Sequence, residues 1–125
     1  MKKIIATNKA PKAIGPYSQG VCFENMVFTS GQLPIHPETG IIQEQIQKQT
    51  KQAIENVEAI LKEKGLTLEN VIKTTVFLKD MNDFLEMNKV YETYFTKDYP
   101  ARSAVEVARL PKDALVEIEV IAVQK

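Results

Sequence analysis

One cysteine and one histidine in 125 residues remove most metal and nucleophile chemistry from consideration. A structural zinc site asks for about four Cys or His ligands and a catalytic one for about three with His predominant, so no metal is expected. Cys22 has no partner for an internal disulfide, and its alternation with Val21 and Phe23 reads as a small core residue in a strand. His36 stands in Pro34-Ile35-His36-Pro37-Glu38-Thr39-Gly40, dense in turn formers, and reads as a solvent-facing loop side chain. A Ser-His-Asp or Cys-His mechanism would rest on that residue alone.

Net charge is missing too. Sixteen Lys and Arg balance sixteen Asp and Glu. The signs are mixed along the chain, so there is no field to hold a polyphosphate backbone and no nucleic-acid partner is expected. No stretch approaches the roughly 20 apolar residues that cross a bilayer, and Met1-Lys2-Lys3-Ile4-Ile5-Ala6-Thr7 lacks the apolar run of a signal peptide. The expectation is a cytoplasmic protein without a membrane partner. With no repeat, linker or low-complexity tract, the length suits one domain over residues 1–125.

What is present is regular periodicity. A short strand near Lys2 to Ala6 is followed by the breakers Pro11 and Gly15, then by two extended runs, Tyr17 to Glu24 and Met26 to Ser30, with Asn25 as hairpin turn. From Ile46 the residues Ile46, Ala53, Ile54, Val57, Ile60 and Leu61 share one helical face, and Gly65 stops the helix. Val71 to Lys79 alternates as a strand, with Ile72, Thr74, Val76 and Leu78 on one side and Lys73, Thr75 and Phe77 on the other. Asp83 and Glu86 are spaced as a capping pair for a second helix, whose stripe of Phe84, Met87, Tyr91, Tyr94 and Phe95 reads as core filling. Two more strands follow Pro100.

Strands, helix, strand, helix and two strands make an α+β layout with both helices on one sheet face. In the last strand Val116, Ile118, Val120 and Ala122 suit the helices, while Leu115, Glu117, Glu119, Ile121 and Val123 point away. In the strand before it, Ser103, Val105 and Val107 are assigned to the helix side and Arg102, Ala104 and Glu106 to the bare face. Arg102 and Glu117 are thereby expected on the same face of neighbouring strands. A charge in a strand interior is costly unless it is used, which makes both candidates for function. Leu115, Ile121, Val123 and Phe77 would leave an apolar patch on that face, and the expectation is an obligate homo-oligomer.

The residues also carry a pattern. Pro100-Ala101-Arg102-Ser103, then Val105, Leu110 and Val116-Glu117-Ile118, resembles the C-terminal signature of the RidA/YjgF proteins, the reactive-intermediate enamine/imine deaminases. Ala10-Pro11-Lys12-Ala13-Ile14-Gly15-Pro16-Tyr17-Ser18-Gln19-Gly20 resembles the family's N-terminal loop. Phe28-Thr29-Ser30-Gly31-Gln32-Leu33-Pro34 and Lys73-Thr74-Thr75-Val76-Phe77-Leu78-Lys79-Asp80-Met81-Asn82-Asp83-Phe84 resemble the motifs between. The likeness covers essentially the whole chain. It implies a chorismate-mutase-like two-layer fold with a mixed six-stranded sheet, and a homotrimer with sites in clefts between subunits. It also implies hydrolysis of small 2-enamino and 2-imino acids, such as 2-aminoacrylate and 2-iminobutanoate, to 2-oxo acids and ammonia.

That reaction needs a grip on a carboxylate, a placed water and a proton supply, and no cofactor. Arginine's planar fork meets a carboxylate bidentately, so Arg102 is the expected clamp. Glu117 is the expected holder of the attacking water and carrier of its proton, provided its pKa is raised. By resemblance Tyr17 offers a hydroxyl, Ser30 and Gly31 line the pocket, Asn88 lies at its edge, and Ala104 stands where relatives often have cysteine and serves if the role belongs to its backbone carbonyl. Two other readings stay open: a trimer that binds such acids without turning them over, and an endoribonuclease that inhibits translation. Arg102 could also simply pair with Glu106 or Glu117.

Overall fold

In the computed structural model, which describes residues 1–124, the alternating runs fold as β1 (Lys3–Ile5), β2 (Gly20–Phe23) and β3 (Met26–Thr29), followed by α1 (Ile46–Lys62). Then come β4 (Val71–Leu78), α2 (Phe84–Tyr94), β5 (Ala101–Glu106) and β6 (Val116–Val123). The strands form one mixed six-stranded sheet in the order β1-β2-β3-β6-β4-β5, in which only β4 and β5 run parallel. The expected α+β layout is thus observed. Among the described residues no helix is long and apolar enough to cross a membrane.

The helix periodicity holds in detail. Ile46, Ala53, Ile54, Val57, Ile60 and Leu61 are all buried. Each large aliphatic side chain buried in this way is worth about 1.5–3 kcal/mol. The helix ends in a Schellman motif at Gly65, whose φ of 70° only glycine adopts freely. There Leu66 N–H donates to Leu61 O at 3.1 Å and Gly65 N–H to Lys62 O at 2.9 Å. Gly20 on β2 serves a different purpose: a Cβ there would meet Ile60 Cγ2 at 2.9 Å, so its absence lets α1 settle on the sheet.

Strand β6 alternates as expected, with Val116, Ile118, Val120 and Ala122 buried under the helices and Glu117, Glu119, Ile121 and Val123 half-buried on the other face. Phe28 on β3 and Val105 on β5 join that open face and are exposed.

Several expectations fail, each for a physical reason. A register shift between Val71 and Lys73 inserts an extra residue against β6, so Val71 takes the buried position and Ile72 turns outward. Asp83 makes no side-chain cap; instead Asp80 caps the single 3-10 turn Met81–Asp83 by accepting from Asn82 N–H at 2.9 Å. Glu86 pairs with Lys89 at 3.1 Å and accepts from Gln47 at 2.8 Å. Asn25 does stand in the hairpin turn, as expected, with Glu24 before it carrying the positive φ of 53°. Leu115 precedes β6 and packs on the core.

The most consequential failure concerns β5. It is not a neighbour of β6, because β4 lies between them. Its parallel register with β4 sets Arg102, Ala104 and Glu106 beside Thr74, Val76 and Leu78, the residues that face the helices. Ser103 and Val105 fall beside Thr75 and Phe77 on the open face, and Lys73 Nζ donates to Ser103 Oγ at 2.9 Å there. Alternation separates the two sets correctly. Hydropathy then assigned them to the wrong faces, since on this edge strand the valine is exposed and the arginine is covered by α2.

Candidate functional site

Arg102 is half-buried on the sheet's outer strand beneath α2. Its guanidinium carbon lies 4.7 Å from the centroid of the Tyr91 ring and 5.4 Å from that of Phe84. One amino group donates to Asn88 Oδ1 at 2.7 Å. Asn88 and Tyr91 are three apart on α2 and therefore share a face, which explains how one helix supplies both contacts. Among the described residues no carboxylate lies within ion-pair distance of Arg102, so it pairs with neither Glu106 nor Glu117. Glu106 instead accepts from Met81 N–H at 2.8 Å. Arg102 lines a recess of about 320 Å³ together with Asn88, Tyr91, Glu92, Phe95 and Tyr99. Ala104, two residues along, packs partly against the core on the same face.

Glu117 stands on the other face, beside Phe77. Its carboxyl lies against Gly31: a Cβ at that glycine would sit 2.8 Å from both the carboxyl carbon and Oε2. A side chain here would have to displace the Glu117 carboxyl, whereas no turn at Gly31 needs glycine's conformation. A bulge produces the approach. Phe28 pairs with Ile121, and Gln32 pairs again with Ile118, so the three residues 29–31 oppose the two residues 119–120. Thr29 Oγ1 accepts from Val120 N–H at 3.0 Å where the ladder breaks, and Gln32 closes it again with bonds of 2.7 and 3.2 Å to Ile118. Burial raises the Glu117 pKa above the ordinary carboxylate value, and the charge of Glu119 adds to the shift. A carboxyl so placed can hold or release a proton nearer to neutral pH.

Ser30 and Tyr17 belong to the Glu117 half. Ser30 Oγ donates to Ser18 O at 2.6 Å, tying Gly31's neighbour to the loop that carries Tyr17, which is exposed. The buried Gln19 anchors that loop, accepting from Thr7 N–H at 2.7 Å and donating to the carbonyls of Thr7, Ala10 and Pro11 at 2.9, 3.3 and 2.8 Å. A hollow of about 800 Å³ adjoins this loop and β1, at the opposite edge of the sheet from Arg102. Tyr17 lines it, but none of Ser30, Gly31, Asn88, Arg102 and Glu117 does.

The candidate residues therefore form two half-sites: Arg102, Asn88 and Ala104 under α2, and Glu117, Gly31 and Ser30 on the far side of the sheet. The endoribonuclease L-PSP family matches residues 7–124. The chain belongs to this family, the RidA/YjgF proteins. It is 54% identical over 128 residues to a 2-iminobutanoate/2-iminopropanoate deaminase of Salmonella typhimurium, covering 100% of both chains. It is 57% identical to a RutC family protein of Pyrococcus abyssi, over 97% of this chain and 96% of that one. Among solved structures, E. coli TdcF with bound serine has a TM-score of 0.95 at 52% identity, over 98% of this chain and 99% of that one.

Residues that support these side chains and loops carry little signal of their own in the sequence. Tyr91 lies in the core, as its helical spacing predicts, and its ring also seats Arg102. Gln19, Gln32 and Asn56 are buried amides that hold loops, Asn56 by donating to Leu33 O and Ile35 O at 3.0 Å each. Only the helical spacing of Asn88 and Tyr91 could have pointed to the first of these. Nothing in the sequence distinguishes the amides from surface residues.

Proposed function

We propose that this chain is an imine deaminase, hydrolysing 2-imino acids and their 2-enamino tautomers to the 2-oxo acid and ammonia. Arg102 grips the substrate carboxylate through its free edge. Glu117 holds a water and takes its proton as the oxygen attacks the imine carbon. That proton passes to nitrogen to give the carbinolamine; a second, from its new hydroxyl, then reaches the nitrogen by the same carboxyl as the C–N bond breaks and the C=O bond forms, and ammonia leaves. Positioning and one acid-base group suffice, because imines are already electrophilic and a well-placed carboxyl contributes about a hundred to ten-thousandfold.

The observation that carries this reading is the state of Arg102: seated on two aromatic rings, tied by one amino group to a neutral amide, and without a carboxylate partner. Such a cation is prepared for an external anion. Relatives named 2-iminobutanoate/2-iminopropanoate deaminase at 52–54% identity support the same chemistry. The endoribonuclease of the family's name draws less support, since the charge is balanced and the sole histidine, His36, is an exposed loop residue.

The two half-sites lie on opposite faces of one sheet, so they serve one reaction only if different chains supply them. The open face carries Phe28, Phe77, Val105, Ile121 and Val123, an apolar surface suited to burial against another copy. We therefore place the sites between subunits of a homotrimer, with Tyr17, Ser30, Gly31, Asn88 and Ala104 around the substrate. A protein that clears by-products of pyridoxal-phosphate-dependent dehydratases works where those enzymes do, in the cytoplasm.

The test couples a threonine dehydratase to the protein and follows release of 2-oxobutanoate. Acceleration over the spontaneous rate is expected for the wild type. Arg102→Ala should lose it, and Arg102→Lys should lose most of it, because lysine keeps the charge and not the fork. A wild type no faster than buffer would overturn the assignment.

A further inference from the structure

Tyr91 does more than fill the core. Its ring lies 4.7 Å from the Arg102 guanidinium carbon, and Phe95 backs it at a centroid separation of 4.5 Å and an interplanar angle of 28°. Its hydroxyl is 2.8 Å from Thr74 Oγ1, and Thr74 is completely buried. Thr74 is also the register partner of Arg102 on the neighbouring strand. The two residues are therefore joined twice, directly through the backbone ladder and again through Tyr91. The hydroxyl contact satisfies a buried polar group and fixes the ring, and the ring's place under the guanidinium is what core filling alone would not need.

We infer that Tyr91 is a positioning residue for the Arg102 clamp, with Thr74 as its anchor; this rests on the reading of Arg102 as the carboxylate grip. The ring fixes the plane of the guanidinium by cation–π contact. Asn88 takes one amino group and Arg102 lines the adjoining recess, which leaves further N–H donors for a carboxylate bound there. Arginine is rich in rotamers, and ordering it before the ligand arrives removes that entropy cost from binding. The seat acts on ground state and transition state alike. Its loss should weaken carboxylate binding and leave bond-making nearly untouched.

The experiment measures KM and kcat for dehydratase-generated 2-iminobutanoate, and the affinity for 2-oxobutanoate, in Tyr91→Leu, Tyr91→Phe, Thr74→Val and Arg102→Lys. Tyr91→Leu, which removes the π face, should raise KM and weaken 2-oxobutanoate binding by about tenfold, with kcat within about twofold of the wild type. Tyr91→Phe should restore both to within about threefold, because the ring remains. If Tyr91→Leu does not fold, Thr74→Val decides: a rise in KM of about threefold at unchanged kcat supports the anchor, and an unchanged KM overturns it. A folded Tyr91→Leu with wild-type KM and affinity overturns the inference while leaving the clamp intact, provided Arg102→Lys is impaired in the same assay. An unimpaired Arg102→Lys overturns the clamp itself.

Discussion

Arg102 and Glu117 lie on opposite faces of one sheet with β4 between their strands: Thr74, in register with Arg102, turns toward the helices, while Phe77, in register with Glu117, turns away. Neither is neutralised by the other. Each has its own cradle, aromatic rings and an amide for the guanidinium and a glycine for the carboxyl. Under the proposed function, joining such halves falls to assembly rather than to folding.

Glu117→Gln should lower kcat for imine hydrolysis by about a hundred to ten-thousandfold while 2-oxobutanoate still binds, since the clamp is untouched. Because burial raises the wild-type carboxyl pKa, the acid limb of its kcat/KM profile should lie above the ordinary value of 4.5. The sign for stability follows from the same shift. The native carboxyl holds its proton more tightly than the unfolded one, so stability falls as pH rises from 4.5 through the raised value. Glu117→Gln should therefore raise Tm above that window and leave it unchanged below. An acid limb at 4.5, or equal Tm gains at pH 4 and pH 8, would contradict this.

Gly31→Ala places a methyl group 2.8 Å from the Glu117 carboxyl. Relief requires the carboxyl to swing toward water. Because the far end of that side chain can move, a stability loss of no more than about 1 kcal/mol is expected by urea denaturation. The acid limb should also move toward the ordinary carboxylate value, which simple overpacking would not produce.

Asn56→Ala removes the donors to Leu33 O and Ile35 O, in the segment that follows the Gly31 bulge. The cost should be about 1–3 kcal/mol in urea denaturation, as for buried acceptors left unpaired. The KM of the folded protein should change little, because the Arg102 seat is on another element.

Ile121→Asp sets a charge on the open face, opposite Phe28. Light scattering at micromolar concentration should show a trimer for the wild type and a monomer for the variant, with circular dichroism retained and imine hydrolysis lost. A wild type that runs as a monomer would remove the basis for sites between chains.

Much of this architecture was legible because it follows from periodicity. The α1 face, the Gly65 stop and the β6 alternation need only the spacing of apolar residues and one glycine. The motifs around Arg102, Glu117 and Gly31 likewise stand in the sequence as a recognisable family pattern. What periodicity does not contain is the side to which a strand's alternation is assigned. For β5 that depends on pairing with β4, a contact between distant segments, and on α2 sheltering a cation that hydropathy assigns to water. The register shift beside Ile72 and the Thr29–Gly31 bulge were hidden for the same reason: each is a relation between two strands, invisible in either alone. Tyr91 fills the core as its spacing predicts, but its contact with Arg102 was not legible, because an aromatic stripe at helical spacing looks the same whether its rings meet aliphatic groups or a guanidinium.

The most direct measurement is complementation between two inactive chains. Arg102→Ala and Glu117→Gln proteins are unfolded together, refolded at equal concentrations, and assayed for imine hydrolysis after mass spectrometry verifies mixed oligomers. If each site takes its arginine from one chain and its glutamate from the next, random mixing rebuilds about a quarter of the sites, and activity should return to about a quarter of the wild-type level. Mixed oligomers as inactive as either parent would contradict a site shared between chains.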